Sequence, residues 1–531
     1  MAEFLYQLIE HTADVSPQSK ALKLKDNSLN YQALWDAICQ TANAFCHCGL
    51  KKQERVAIYL PKQFATVISF FATSKAGGVF VPVNPTLKGP QVAHILNDCD
   101  TRILVTSHTR LKSISKFLAD CESLHTIICV DDIAQETIDE FAPLSICVMH
   151  WNDLKYKESR HHRVIDTDMV CILYTSGSTG KPKGVVLSHR NMLAGAKSVA
   201  NYLENTPTDR ILAVLPFSFD YGFSQLSTAF YVGACVVMMD YLLPRDVIKM
   251  VAKEKITALA AVPPLWIQLA QLEWPEDAVN SLRYISNSGG AMPLNTLKNL
   301  RTALPNTLPY LMYGLTEAFR STYLPPHELD NRPESMGKAI PNVEVLVVRP
   351  DGTHCDPDEP GELIHKGSLV ALGYWNDPEK TVERFKPAPM QEPGLPMAET
   401  AVWSGDTVRM DKDGFLYFVG RKDDMIKTSG YRVSPAEVEE ILYASGLVGE
   451  AVALGIPHPN LGQTIVVIAT AIDANDLDIE RLFTACRQTL PNYMVPTEII
   501  AADHLPRNAN GKIDRKQLSL DQQHLFQEPS S

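Results

Sequence analysis

A segment rich in glycine and hydroxyl side chains is the part of the sequence best suited to bind phosphate. Residues 174–189 read Tyr-Thr-Ser-Gly-Ser-Thr-Gly-Lys-Pro-Lys-Gly-Val-Val-Leu-Ser-His and follow the apolar run 170–173. Backbone N–H groups and hydroxyls of such a loop can turn toward phosphate oxygens, while Lys181 and Lys183 supply positive charge. A flexible surface turn is the alternative, but the apolar runs on both sides favour an ordered phosphate loop. The segment is not a Walker loop, which has four residues between its first glycine and Gly-Lys and a Ser or Thr after the lysine.

Further segments combine glycine with carboxylate, hydroxyl or cationic side chains. In chain order they are Ser288-Gly-Gly-Ala291, Tyr313-Gly-Leu-Thr-Glu317, Trp403-Ser-Gly-Asp406, Gly420-Arg-Lys-Asp-Asp-Met-Ile-Lys427 and Leu505-Pro-Arg-Asn-Ala-Asn-Gly-Lys512. In its phosphate loop and in this order of motifs the chain resembles the adenylate-forming superfamily, which comprises acyl-CoA synthetases, peptide-synthetase adenylation domains and firefly luciferases. The resemblance spans residues 5–518.

The resemblance implies a role for each matching residue. It implies that ATP is held by Thr175, Ser176, Gly177, Ser178, Thr179, Gly180, Lys183, Ser288, Gly289, Gly290, Met312, Tyr313, Gly314, Asp406, Arg421 and Lys427. Among these, the loop at 288–291 would line the adenine pocket, Tyr313 would stack on adenine, and Asp406 would accept both ribose hydroxyls, with Arg421 also at the ribose.

The catalytic residues implied by the resemblance are Lys181, Thr316, Glu317 and Lys512. Thr316 would contact the α-phosphate, and Glu317 would bind Mg²⁺, which prefers hard oxygen ligands. Lys512 would bridge the substrate carboxylate and the α-phosphate. We expect the neighbouring Arg515 and Lys516 to be only solvated.

In the resembled family, attack of a carboxylate on the α-phosphorus of ATP gives an acyl adenylate and pyrophosphate, and a thiol then displaces AMP. The C-terminal domain rotates between the two steps. Carried over to this chain, Asp423 is the pivot of the hinge. The segment 427–430, with Gly430, would form the tunnel for phosphopantetheine. The matches at 361–363 and 373–375 are expected to be mostly scaffold.

The identity of the carboxylate depends on the segment 215–222. Phe219-Asp220 matches the Phe-Asp pair of peptide-synthetase adenylation domains, whose aspartate binds the α-amino group of an amino acid, whereas many acyl-CoA synthetases have His where this chain has Phe219. A buried carboxylate needs a compensating cation, and a substrate ammonium would provide it. The alternative is that Asp220 is the N-cap of a helix starting near Tyr221.

Asn287 and Arg320 are expected to line the same pocket by the same carry-over. Arg320 would bind a second acidic group or pair with Asp220 itself, and such a pair would weaken the argument for an ammonium.

We therefore predict an ATP- and Mg²⁺-dependent ligase that activates proline or another small amino acid and transfers it to the phosphopantetheine thiol of a separate carrier protein. An AMP-forming acyl-CoA synthetase for a fatty, aryl or other acid is the alternative, since residues 430–435 are closer to those enzymes. A luciferase-like adenylate oxidase is less favoured. A non-catalytic relative is disfavoured because Lys512, Glu317 and Asp406 are all present. Only 19 residues follow Lys512, so the thiol is expected in trans.

Composition excludes some partners. The 531 residues include 49 Lys+Arg and 61 Asp+Glu, a net charge of -12 that argues against general nucleic-acid binding. The N-terminus lacks the features of a signal peptide, and the longest apolar stretch, 225–240, falls short of the ~20 residues of a membrane span. We expect a cytoplasmic protein with free thiols and no membrane contact, and buried strand or helix at 225–240.

The chain that must position these motifs has three regions with different patterns of predicted secondary structure. From 30 to 150, helical stretches alternate with short apolar runs, which predicts α/β layers of mostly parallel sheets. From 335 to 420, closely spaced strands and turns such as Asp413-Gly414 predict antiparallel hairpins in a small β-barrel-like subdomain. After 424, helices at 435–443 and 478–490 and strands at 450–454 and 464–470 predict an α+β unit.

We accordingly predict a large N-terminal α/β domain at 1–420 for nucleotide and acyl binding, which includes the β-rich part at 335–420. A hinge at 421–424 would join it to a smaller mobile α+β lid at 425–531.

Overall fold

The computed structural model describes residues 2–154, 161–175, 182–390, 392, 394–421, 424–428, 431–458, 461–472, 477–490, 492–508 and 511–526; for residues 427, 431, 432, 462 and 493 it describes the backbone alone. Among these residues, no helix has the length and apolar character needed to cross a membrane.

The largest sheet of the described chain has fourteen strands and runs from the N-terminal region to residue 421. Its strands are β1 (Lys20–Leu24), β2 (Asn27–Asn30), β10 (Arg210–Ala213), β11 (Cys235–Met238), β12 (Ala258–Ala261), β13 (Tyr284–Asn287), β14 (Leu308–Tyr313), β15 (Thr322–Leu324), β16 (Ser335–Ala339), β17 (Val343–Val348), β18 (Gly361–Gly367), β20 (Phe385–Pro387), β21 (Thr400–Met410) and β22 (Leu416–Arg421). The order along the sheet is β17-β18-β21-β22-β16-β15-β14-β13-β12-β10-β11-β1-β2, and β20 pairs with β21. The parallel pairs are β1–β11, β10–β11, β10–β12, β12–β13 and β13–β14. The antiparallel pairs include β14–β15, β15–β16, β16–β22 and β21–β22.

A second sheet, of eight strands in the described residues, has the order β19-β9-β8-β4-β3-β5-β6-β7. Its strands are β3 (Arg55–Tyr59), β4 (Val79–Pro82), β5 (Thr101–Thr106), β6 (Thr126–Cys129), β7 (Cys147–His150), β8 (Met169–Thr175), β9 (Lys183–Ser188) and β19 (Gly373–Tyr374). Strands β3 to β8 pair in parallel, and β8–β9 is an antiparallel hairpin. These alternating strands and helices confirm the predicted α/β layers.

The third sheet belongs to the C-terminal part and contains, in the described chain, β23 (Ile426–Thr428), β24 (Tyr431–Val433), β25 (Val448–His458), β26 (Gly462–Ala471) and β27 (Glu498–Ala501). It has its own apolar core, formed by side chains such as Val438, Ala453, Val467 and Leu482. The predicted α+β character of this part is confirmed.

Helices cover the faces of the sheets. They are α1 (Gln7–Val15), α2 (Tyr31–His47), α3 (Phe64–Ala76), α4 (Gly89–Asp98), α5 (His108–Ile114), α6 (Gln135–Phe141), α7 (His189–Tyr202), α8 (Asp220–Val232), α9 (Pro244–Glu254), α10 (Pro263–Leu269), α11 (Glu276–Ser281), α12 (Leu294–Ala303), α13 (Pro378–Arg384), α14 (Pro435–Ala444), α15 (Ile479–Thr489) and α16 (Arg515–Gln522). The apolar stretch 225–240 is divided between α8 and β11 and is largely buried, as predicted.

The arrangement of the parallel strands decides where a site can form. Strands β12, β13 and β14 are parallel neighbours, so the segments that follow them emerge at one edge of the sheet. In open α/β sheets this carboxyl edge is the usual place for ligands. The turn predicted at Asp413-Gly414 joins β21 to β22, and this hairpin brings Asp406 opposite Arg421.

Candidate active site

The residues on either side of the predicted phosphate loop belong to the β8–β9 hairpin, in which Thr175 is paired with Lys183. Burial is the main cause that lowers the pKa of the Lys183 ammonium, and the charge of Lys380 lowers it further, while Asp377 and Glu317 oppose the shift. Residues Ser176, Gly177, Ser178, Thr179, Gly180 and Lys181 lie outside the described residues, and so do Asp423 and Gly430.

The segment after β13 meets the side chain of Lys512. Ser288 is buried, and Gly289 has φ +83, a conformation that favours glycine. A Cβ at Gly289 would lie 3.3 Å from Cε and 3.7 Å from Nζ of Lys512, so the lysine reaches across from the C-terminal part to this segment. Asn287 donates to the carbonyl of Gly290 at 2.9 Å.

Lys512 ends among the charged groups of the site. The residue as a whole is exposed, whereas its ammonium is desolvated. Desolvation lowers the pKa of Lys512, whereas the negative charges of Asp220, Asp406 and Glu317 oppose that shift. The structure therefore brings Lys512 together with the carboxylates that the sequence motifs single out.

Asp406 is held by two residues of the predicted nucleotide site. The hydroxyl of Tyr313 donates to one carboxylate oxygen, and Arg421 Nε donates to the other at 2.8 Å. Burial and the nearby Asp406 raise the pKa of Tyr313 well above its ordinary value, so the phenol stays protonated. Three of the predicted nucleotide-binding residues, taken from distant motifs, thus form one network.

The carboxylate of Glu317 has a hydrogen-bond partner in the segment 373–375, for which we expected a mostly structural role. Tyr374 in β19 donates its hydroxyl to Glu317 Oε1 at 2.5 Å, and Lys183 Nζ lies 5.4 Å from the centroid of the Tyr374 ring. Arg384 is also close, since the charge of Glu317 contributes to raising its pKa. Sequence reasoning missed Tyr374 and Arg384; the match at 373–375 was the only signal for the tyrosine.

Gly405 shows why the Ser-Gly-Asp motif needs its glycine. Its φ is +68, and a Cβ there would lie 2.7 Å from Arg384 Nη1, which donates to the carbonyl of Trp403 at 3.0 Å. A side chain at this position would displace the guanidinium.

Asp220 is paired with a protein cation. Arg320 Nη1 donates to Asp220 Oδ2 at 2.6 Å, and Thr316 Oγ1 donates to Oδ1 at 3.2 Å. The Arg320 side chain is 1 % exposed and that of Asp220 13 %. The argument for a substrate ammonium is therefore weaker, because Arg320 supplies a compensating charge for Asp220 from within the chain.

The alternative role for Asp220, as an N-cap, is also wrong. Helix α8 begins at Asp220 itself, Phe219 is the N-cap, and no side chain caps the helix. Asp220 lies in the first turn, where a negative charge interacts favourably with the helix dipole.

The expectation that Arg515 is only solvated is wrong as well. Its Nη2 lies 2.6 and 2.8 Å from the two carboxylate oxygens of Glu439, and its Nη1 donates to the carbonyl of Ala453 at 3.0 Å. The segment carrying Lys512 is thereby tied to α14 and β25.

Glu317 fits a magnesium ion. In the described part of the chain no group of three or more His, Cys, Asp or Glu side chains could hold a metal ion. Mg²⁺ is commonly bound by one or two carboxylates together with substrate phosphates and water, so a single carboxylate close enough to Lys183 to affect its pKa suffices.

Family models match most of the chain. The model described as "AMP-binding enzyme" matches residues 9–375, and the "AMP-binding enzyme C-terminal domain" matches residues 437–512. Lys512 is the last residue of the second match.

Curated relatives include both large synthases and single ligases. Tyrocidine synthase 3 of Brevibacillus parabrevis is 28% identical over 97% of this chain, and the chain spans only 8% of that protein. A long-chain-fatty-acid–CoA ligase of Bacillus subtilis (strain 168) is 27% identical over 97% of this chain and 94% of its own length. The chain thus spans about a tenth of the length of the large synthases it matches.

A solved structure shares the fold. The o-succinylbenzoate coenzyme A synthetase of Bacillus subtilis, determined in complex with ATP and magnesium ion, superposes with a TM-score of 0.79 at 25% identity, covering 96% of this chain and 98% of that one.

Proposed function

The chain belongs to the AMP-binding enzymes, and from this membership and the geometry of the site we propose that it is an AMP-forming acid–thiol ligase. It activates a short carboxylic acid with ATP and transfers the acyl group to the thiol of a phosphopantetheine, carried by coenzyme A or by a carrier protein. The observation that carries this proposal is the Lys512 side chain, which reaches Gly289 and ends near Asp220, Asp406 and Glu317.

The first step joins the acid to AMP. A carboxylate oxygen attacks the α-phosphorus of ATP, the bond to the β-phosphate breaks, and pyrophosphate leaves. Lys512 holds the carboxylate and the α-phosphate at attack distance and offsets the negative charge that develops there. Asp406 and Tyr313 fix the nucleoside end, while Lys183 faces the phosphates.

Magnesium fits beside Glu317, where it would neutralise phosphate charge when bound. Tyr374 orients that carboxylate through its hydroxyl. In the second step the thiol sulfur attacks the acyl carbon, the thiol proton is lost, and AMP leaves. The domain division at 421–424 and the role of Asp423 as pivot are parts of this proposal.

The pocket supports a short acid. The cavity lined by Met312 and Arg320 measures ≈ 20 Å³, little more than the volume that admits one water molecule. A fatty chain would need a much longer cavity. The amino-acid substrate and the carrier-protein acceptor stay predictions. The case for a substrate ammonium beside Asp220 is weaker, because Arg320 already neutralises this carboxylate.

Pyrophosphate exchange into ATP tests the proposal. We expect exchange with at least one acid of a panel containing short aliphatic, hydroxy, amino, aryl and fatty acids. Lys512→Ala is expected to abolish exchange and to retain thioester formation from a synthetic acyl adenylate, whereas Lys516→Ala is the matched control that keeps both activities. Loss of both half-reactions in Lys512→Ala would contradict the assigned role.

A further inference from the structure

Glu440 connects the C-terminal part to a helix of the large N-terminal region. The backbone N–H of Leu294, the first residue of α12, donates to Glu440 Oε1 at 3.2 Å. Glu440 belongs to α14, which lies beyond the predicted hinge at 421–424. The contact therefore exists only while the C-terminal part lies against α12.

The N-terminus of α12 has no cap from its own N-cap residue. That residue is Pro293, whose side chain accepts no hydrogen bond. The first N–H groups of an α-helix find no acceptor inside the helix and carry a partial positive charge. A carboxylate that accepts one of them is favourable, and a hydrogen bond to an ionised acceptor is stronger than one between neutral groups. Glu440 supplies this acceptor from the other side of the predicted hinge.

The environment of Glu440 makes its carboxylate depend on this contact. Glu440 and Leu294 are both partly buried. Burial is the main cause that raises the pKa of Glu440; the hydrogen bond from Leu294 opposes the shift, and the charge of Glu334 adds to it. The N–H of Leu294 thus compensates part of the cost of removing this carboxylate from water.

The preceding residue of α14 holds the segment that carries Lys512. Glu439 lies 2.6 and 2.8 Å from Arg515 Nη2, and Arg515 lies three residues after Lys512. Neighbouring residues of an α-helix project about 100° apart, because one turn contains about 3.6 residues. One helix can therefore contact α12 through Glu440 and the Lys512 segment through Glu439.

Glu440 and Lys512 reach the same stretch of the large N-terminal region. Leu294 lies five residues after Gly289, and Cε of Lys512 lies 3.3 Å from the position that a Cβ would take at Gly289. The contact between α12 and α14 and the contact of Lys512 with the segment after β13 therefore belong to the same orientation of the C-terminal part.

We propose that Glu440 is a positioning residue for the first half-reaction, because its hydrogen bond to the N-terminus of α12 holds the C-terminal part in the orientation in which Lys512 reaches Gly289. The bond breaks when the C-terminal part rotates for the second half-reaction. This inference rests on the proposed function, which assigns the two half-reactions to different orientations.

Removing either partner of the hydrogen bond tests the inference. Glu440→Met removes the acceptor, and Leu294→Pro removes the donor at the first position of the helix, where proline is well tolerated. Pro293 already has the extended conformation, ψ 136, that a following proline requires. Each variant should lower kcat/KM for ATP in pyrophosphate exchange by about 5-fold, or about 1 kcal/mol. Thioester formation from a synthetic adenylate should change by less than about 2-fold.

The double variant shows whether the two residues act through one bond. Glu440→Met combined with Leu294→Pro should lose no more than the larger of the two single losses, whereas independent effects would multiply to about 25-fold. Leu294→Ala, which keeps the N–H, and Glu480→Met, which removes an exposed carboxylate in the first turn of α15, are the matched controls. Both should keep kcat/KM within about 2-fold of the wild type. Multiplying losses, equal losses in both half-reactions or unchanged exchange in Glu440→Met would overturn the inference.

The affinity for ATP with Mg²⁺, measured by calorimetry, keeps the inference testable apart from turnover. If no acid supports exchange, the proposed function fails, whereas binding of ATP still reports the orientation that brings Lys512 to the site. Glu440→Met should raise the Kd for ATP by about 5-fold, because the apparent affinity falls with the fraction of protein in the binding orientation. In the Lys512→Ala protein the same change should alter Kd by less than about 2-fold. An unchanged Kd in Glu440→Met, or an equal increase without Lys512, would make Glu440 a local helix cap and overturn the inference; both outcomes are read without Leu294→Pro if that variant fails to fold.

Discussion

Replacing Arg515 with Met is expected to weaken the first half-reaction without touching a reacting group. Arg515 makes two contacts with Glu439, at 2.6 and 2.8 Å, and one with the carbonyl of Ala453, at 3.0 Å. Glu439 also accepts the N–H of Ala453 at 2.8 Å. Because Arg515 lies three residues after Lys512, these contacts fix the segment that carries this lysine, to which we assign the first half-reaction.

The size of the effect follows from burial. Removing one partner of a fully buried ion pair costs about 3–5 kcal/mol. The Arg515 side chain is 34 % exposed and that of Glu439 13 %, so water partly replaces the lost contacts and we expect a loss of about 2–3 kcal/mol in the free energy of unfolding. If the displacement of Lys512 raises the activation free energy of the first half-reaction by about 2 kcal/mol, the rate of pyrophosphate exchange falls by about 30-fold.

Three measurements check the prediction for Arg515→Met. Urea unfolding gives the stability change, pyrophosphate exchange gives the first half-reaction, and thioester formation from a synthetic adenylate gives the second, which should change less than about 3-fold. Arg481→Met is the matched control, since its contact with Asp478 is exposed and 4.0 Å long, and a loss below about 0.5 kcal/mol is expected. Equal losses in both half-reactions, or a stability change no larger than that of the control, would refute the reasoning.

Three further changes have defined outcomes. Tyr374→Phe removes the 2.5 Å hydrogen bond to the proposed metal ligand and should raise the Mg²⁺ concentration for half-maximal pyrophosphate exchange about 10-fold; an increase under 2-fold would contradict this. Burial lowers the pKa of His365 to about 3, so it stays neutral in the folded protein while the unfolded chain takes up a proton below pH ~6.5. The free energy of unfolding should therefore fall as the pH drops from ~6.5 to ~4, and His365→Asn should reduce that slope by about 1.4 kcal/mol per pH unit in urea titrations; an unchanged slope would exclude this histidine. Gly405→Ala brings a Cβ within 2.7 Å of Arg384 Nη1, whereas Gly414, with a similar positive φ, has open space around it. In urea unfolding, Gly405→Ala should therefore lower the free energy of unfolding by about 1–2 kcal/mol more than Gly414→Ala does. Equal losses in the two variants would count against the contact.

Several elements could be predicted because their signals are local. The helix expected at 435–443 is observed at Pro435–Ala444, and the strand expected at 464–470 is observed at Gly462–Ala471. Apolar periodicity and turn residues act over a few neighbouring positions, so helices and strands can be predicted from them without knowledge of the tertiary structure. The same holds for the motif at 313–317, whose residues are neighbours in sequence.

The partners in ion pairs could not be predicted from such local signals. Arg515 was expected to be solvated because it follows a basic, glycine-containing segment, but it pairs with the partly buried Glu439 in α14, 76 residues earlier. Gln225 looks like a polar residue in an apolar stretch, and only the tertiary structure brings its amide nitrogen to the carbonyl of Leu212.

The sequence by itself determined the family of this protein, the order of its motifs and the residue types proposed to bind phosphate, since each motif is a short contiguous string. Only the tertiary structure decided how those strings combine: Tyr313 binds Asp406 across 93 residues, and Asp220 is neutralised by Arg320 across 100. The physical reason is that a charged side chain takes the partner that lies nearest after burial, and proximity across the sheet edge depends on strand order rather than on sequence spacing.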